Sequence, residues 1–223
     1  MHKNLSHGLL VMALLFSVAL SAQSQKDLFF VFLNSNPDKQ EISQEKLENL
    51  QAAHLNNIEE LAKDDIILAS GPFDGGGGML ILNTENINTA NEILQTDPAI
   101  KEKRFTTEVF PLMIANNDLC GAKKPYEMVT YQFVRTISDV EYFGDIDAMI
   151  RENRIFMANL NNNNDFVIVQ GSFSPYNDGL LILDVADAKA AEKIIKQHPA
   201  VKEGQLKYEI KSLWIAKGTF CKK

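Results

Sequence analysis

The sequence predicts an α+β fold in which one βαββαβ unit is written twice along a single chain. Three observations predict it. The chain is self-similar at an offset of 100 to 101 residues, which is checked before any motif. Each copy shows the same order of strand and helix patterns. The composition, 45% hydrophobic and 23% charged, suits a packed core.

The chain opens on a segment not expected to fold with the rest. Lys3 is followed by the apolar run LLVMALLFSVAL (9–20), then by the small residues Ser21 and Ala22. This is a secretory signal peptide pattern over residues 1–22; an uncleaved anchor is the alternative. The run falls short of the roughly 20 residues that span a bilayer. Stable membrane insertion is therefore not expected, and the mature chain is expected to be periplasmic or secreted. About 200 residues remain, enough for two domains of about 100. Their expected bounds are 26–119 and 126–220.

The copies align along most of their length. LASGPFDGGGGMLIL (68–82) resembles IVQGSFSPYNDGLLIL (168–183), with one extra residue in the second loop. QTDPAIKEKR (95–104) resembles KQHPAVKEGQ (196–205), and IANNDLC (114–120) resembles IAKGTFC (215–221). Each copy begins with an aromatic and β-branched strand (28–33; 128–134), followed by a long amphipathic helix (43–63; 140–160). Two short strands flank a Gly- or Asn-rich loop (66–69 and 79–82; 166–169 and 180–183). A shorter helix (87–95; 187–197) and a last strand (106–114; 207–216) complete the unit. The order is ferredoxin-like. Such a sheet carries helices on one face only, so the other needs cover. Two copies in one chain can supply it to each other as an intramolecular pseudo-dimer.

The formal charge of −7 and the lack of basic runs argue against nucleic acid as a partner. DGGGG (74–78) invites a phosphate-loop reading, but a strand follows where a helix is required. Gly75, Gly76, Gly77 and Gly78 read instead as a flexible hairpin connection that could border a pocket. Zinc is not expected, because no cluster of four Cys and His residues exists.

Beyond the leader, the histidines are His54 and His198. His54 lies on the apolar stripe of the first long helix, with Leu47, Leu50, Ile58 and Leu61. Asp97 closes the second helix, just before Pro98. Both helices cover one face of the sheet, so carboxylate and imidazole can meet. Such a pair fixes the tautomer and raises basicity, which suits general acid–base work. The bland alternatives are a buried structural histidine and a capping aspartate. In the second copy Arg154 and His198 stand at these positions. Arginine stays protonated and is a poor general base, and His198 reads as structural or surface.

These residues carry a family likeness. AAHL (52–55), SGP (Ser70, Gly71, Pro72) and TDP (96–98) make residues 28–115 resemble the YCII-related (YciI-like) domains. The resemblance implies a small α+β fold, usually dimeric, with a His–Asp pair as the proposed active site. By position that pair is His54 and Asp97. A few members act as dehydrochlorinases on chlorinated hydroquinones; most lack an established activity. The second copy, with RENRIF (151–156), GSF (171–173) and QHP (197–199), is a degenerate YCII-like repeat.

Cys120 and Cys221 are the only cysteines, and they occupy equivalent positions. An even count in an exported chain favours a disulfide, and equivalent positions meet near a pseudo-twofold axis; two separate thiols are the alternative. Three functional readings follow. The leading one is an exported protein with a small-molecule pocket near His54, Asp97 and the residues Ser70 to Pro72 and Gly75 to Gly78, doing cofactor-free, lyase-like acid–base chemistry. The rival is a non-catalytic binding or structural module of the cell envelope. A cofactor-free monooxygenase-like α+β barrel is the third. The chain is expected to be a monomer or a homodimer.

Overall fold

The computed structural model describes residues 27–114, 119–138, 145–173 and 178–221. The expected signal peptide lies outside these residues.

The first unit comprises β1 (Asp27–Ser35), α1 (Gln44–Lys63), β2 (Ile67–Pro72), β3 (Gly78–Thr84), α2 (Ile87–Leu94), α3 (Pro98–Lys101) and β4 (Phe105–Ile114). The second comprises β5 (Met128–Ser138), α4 (Ile146–Asn163), β6 (Val167–Phe173), β7 (Gly179–Leu183), α5 (Ala188–Ile195), α6 (Pro199–Lys202) and β8 (Leu206–Ala216). Both are βαββαβ units, with the one-turn helices α3 and α6 as additions the periodicity did not announce. Four residues are too few to show a helical period. The helix expected from 140 begins at Ile146; residues 139–144 lie outside the described set.

Local chemistry sets the helix starts. Ser43 caps α1 by accepting from the Lys46 N–H, and Asn86 caps α2 by accepting from Thr89. Asp187 does the same for α5 through Ala190. Such caps are worth about 1 kcal/mol each.

The strand order is β2-β3-β1-β4-β6-β7-β5-β8, antiparallel throughout. The inner strands bury both faces. Phe29, Val31 and Leu33 of β1 pack with Ala90 and Leu94 of α2, while Phe30 and Phe32 point into the space between the units. β7 divides likewise: Leu181 and Leu183 pack with Ala191 and Ile195 of α5, and Leu180 and Ile182 face inward. The shared interior is aromatic. Phe30 stacks on Phe133 at 5.5 Å, Phe73 lies 5.2 Å from Phe133, and Phe110 lies 5.2 Å from Phe173.

The sheets do more than face each other: their edges join. β4 pairs with β6 through Leu112↔Phe173, Met113↔Ser172 and Ile114↔Gly171. On the opposite side Phe73 bridges Leu213, and the Asp74 N–H donates to the Ser212 carbonyl at 2.9 Å. The eight strands therefore wrap into a barrel with helices outside. Glycine lets the seams close. A Cβ on Gly71 would lie 2.6 Å from the Trp214 carbonyl oxygen, and one on Gly171 would lie 3.0 Å from that of Met113. Cys120 and Cys221 form a disulfide beside a bridge between Leu119 and Phe220.

Two stability measurements follow. Gly71→Ala forces backbone apart at the β2–β8 seam and should cost roughly 1–3 kcal/mol, read as a lower urea midpoint. Replacing both cysteines by serine frees a loop of about 100 residues and should cost about 2–5 kcal/mol in the same assay.

Candidate functional site

His54 is the one buried residue of α1. A helix otherwise half-exposed or exposed thus turns an imidazole inward. The reason is across the gap: His54 Nδ1 lies 2.6 Å from Asp97 Oδ2. Asp97 is the N-cap of α3, and its Oδ1 accepts from the Ala99 N–H at 2.8 Å. The carboxylate is therefore held by backbone on one side and imidazole on the other. Both residues are buried, at 7% and 3% exposure. A carboxylate can only accept here, so Nδ1 carries the proton. In the neutral ring Nε2 is then the bare nitrogen, and no group among the described residues hydrogen-bonds it. Phe105 of β4 packs on the imidazole, with ring centroids 5.7 Å apart. Asn57 donates to Thr96 at 3.0 Å, and Lys46 pairs with Glu102 at 3.1 Å. All three links tie α1 to the segment around α3.

The other expected site residues do not border the void beside Asp97. Ser70, Gly71 and Pro72 are the end of β2, where Gly71 belongs to the barrel seam. Gly75, Gly76 and Gly77 have positive φ in the β2–β3 turn, and Gly78 opens β3. A Cβ on Gly77 would lie 2.2 Å from the Leu33 carbonyl oxygen, so backbone crowding accounts for that glycine. The void beside Asp97 measures about 10 Å³ and is walled by aliphatic residues such as Ile58, Leu61 and Leu80.

A larger cavity lies in the second unit. It measures about 380 Å³ and is lined by Arg154 and His198, the counterparts of His54 and Asp97. Gly171 and Gly179 border it as well. A small-molecule pocket was expected in the first unit; the cavity of about 380 Å³ lies in the second. By alignment Leu206 of this lining stands where the first unit has the larger Phe105, which packs on His54.

His198 is not a surface residue: it is 2% exposed. It precedes α6 without capping it, and Phe156 meets its ring at 4.8 Å. Its Nδ1 is buried without a partner. Burial pushes its pKa down to about 4, so the ring is neutral at pH 7. Sequence reasoning passed over Arg154 and His198 because neither could repeat the acid–base assignment. Their places in the alignment were the available signal.

Residues 28–112 match the model of the YCII-related domain. Solved structures are similar to the chain, one of them closely enough to speak to its fold. A chlorite dismutase candidate is 8% identical, with 87% of this chain and 96% of that one covered at a TM-score of 0.52. A monooxygenase candidate from Lactobacillus acidophilus NCFM is 11% identical, with 87% and 97% covered at a TM-score of 0.47. One from Fusobacterium nucleatum is 12% identical, with 90% and 99% covered at 0.47. Identities this low speak to fold alone. No curated protein matches the sequence significantly.

The depressed His198 pKa has a stability consequence with a definite sign. The unfolded ring protonates near 6.5, the folded ring only near 4. The unfolded state therefore binds the extra proton first, and stability present above pH 6.5 falls as pH drops toward 4. Urea unfolding across that range should show a steeper loss for the wild-type chain than for His198→Gln.

Proposed function

We propose, on the premise that residues 28–112 form a YCII-related domain, that the first unit moves protons on a small organic molecule. The supporting observation is the 2.6 Å contact between His54 Nδ1 and Asp97 Oδ2. Asp97 holds the ring in one tautomer and offsets the charge of an imidazolium. Nε2 is left to take a proton from a substrate carbon or hydroxyl and to return it later. In a lyase-like reaction the proton leaves one carbon while a leaving group departs from its neighbour. This reading needs no cofactor. It includes export, supported by the signal-like pattern of residues 1–22 and by the disulfide. It also includes descent of both units from one repeated ancestor, supported by their common element order.

A second reading has its own observation. Both partners are buried, and the void that borders Asp97 measures about 10 Å³ and is not lined by His54. On that reading His54 and Asp97 are a structural clasp between α1 and α3 in an envelope binding or structural module. The observations differ in kind: the first concerns chemistry, the second access.

A screen of small phenols, hydroquinones and haloorganic acids separates the two. Acid–base catalysis is worth about 10²–10⁴ in rate. A substrate turned over by the wild-type chain should therefore lose about that factor with His54→Gln, while the fold persists by circular dichroism. Unchanged turnover in His54→Gln leaves the clasp as the role of the pair.

A further inference from the structure

We propose that the cavity of the second unit binds a small hydroxy-substituted organic carboxylate, independently of any chemistry at His54. Its volume of about 380 Å³ falls within the range of small-ligand sites, roughly 300–1,000 Å³. Its walls divide by chemistry. Ile150, Met157 and Leu206 give an apolar side suited to a ring or short carbon chain. Arg154 is an exposed cation on the same lining, and no carboxylate among the described residues pairs with it. A guanidinium presents two parallel donors that match a carboxylate.

The buried polar groups specify the rest of the ligand. Asn153 Oδ1 and His198 Nδ1 are buried and without hydrogen-bond partners, and both residues line the cavity. Such orphans are uncommon, because an unpaired buried polar atom costs about 1–3 kcal/mol. His198 is 98% buried by its 2% exposure, so the ligand is the partner the cavity can offer it. The cavity's own acid, Asp178, already accepts the Ser138 N–H through Oδ1 at 2.7 Å. Asp178 disfavours a purely anionic ligand but accepts a hydroxyl donor. Arg154 and Asp178 together therefore select a molecule with an acid at one end and a donor near it. Where the first unit carries an acid and a base joined to each other, the second carries a cation and a neutral imidazole that are not. The second unit thus offers a cation to recognise an anion, without a His–Asp pair beside it.

The test is direct binding with named probes. The three monohydroxybenzoates and 2-hydroxyhexanoate are titrated calorimetrically into the full chain, alongside benzoate and 4-hydroxybenzamide. At least one hydroxycarboxylate should bind, with the amide weaker by about tenfold or more, the loss of one charge-assisted pair. Arg154→Gln should weaken it by a similar factor, and Asn153→Leu should weaken it while the chain stays folded. His54→Ala should leave it unchanged, which separates this site from the first unit's chemistry. The His198 ring protons should shift on titration in NMR spectra. No binding by any of these acids at millimolar concentration overturns the proposal. So does binding that Arg154→Gln and Asn153→Leu leave untouched, or that His54→Ala abolishes.

Discussion

A four-stranded ferredoxin-like sheet has helices for only one of its two apolar faces, and the whole molecule follows from covering the other. β1 shows the demand within one strand: Phe29, Val31 and Leu33 belong to the helix side, Phe30 and Phe32 to the bare side. Each unit answers the demand of the other. Phe30, Phe32 and Phe73 of the first meet Phe133 and Phe173 of the second in a fully buried aromatic interior. Burying a phenylalanine contributes about 1.5–3 kcal/mol, so neither sheet is expected to be stable with that face in water. Edge pairing completes the arrangement, since a barrel leaves few unpaired strand edges. Joining both units in one chain makes their meeting independent of concentration.

One scaffold then yields two environments. In the first unit a helix histidine and a capping aspartate draw α1 and α3 together at 2.6 Å. In the second unit the capping position holds His198, which makes no side-chain cap, and the helix position holds Arg154, which stays exposed. α4 and α6 meet instead through the Phe156 and His198 rings, 4.8 Å apart, and through Ile150 against Ala200. The first unit's junction holds a His–Asp contact, and the residues at the same positions of the second unit line a cavity of about 380 Å³.

Much of the architecture was legible in the sequence because it is periodic or repeated. Aromatic and β-branched runs marked β1 and β5, and the matched Pro98 and Pro199 set the register between the units. The cysteines were legible through symmetry, since equivalent positions near a pseudo-twofold axis end up adjacent. The His54–Asp97 contact followed from two helices sharing one face. Other features were not legible, for physical reasons. α3 and α6 are single turns, below the length at which periodicity speaks. Gly71 looked like a pocket residue, yet its reason is the carbonyl of Trp214 on a strand over 140 residues away in sequence. The location of open space depends on how neighbouring side chains fill volume, and pattern does not report volume.

The disulfide between Cys120 and Cys221 joins the end of the first unit to the end of the second. The stretch from 121 to 127 that carries the backbone across is almost entirely exposed. The halves are consequently connected twice, once through peptide and once through sulfur. Cleavage of the exposed crossing by a protease leaves two pieces still joined through sulfur rather than two separate fragments. The one-to-one pairing of the sheets outlives the loss of its most vulnerable link.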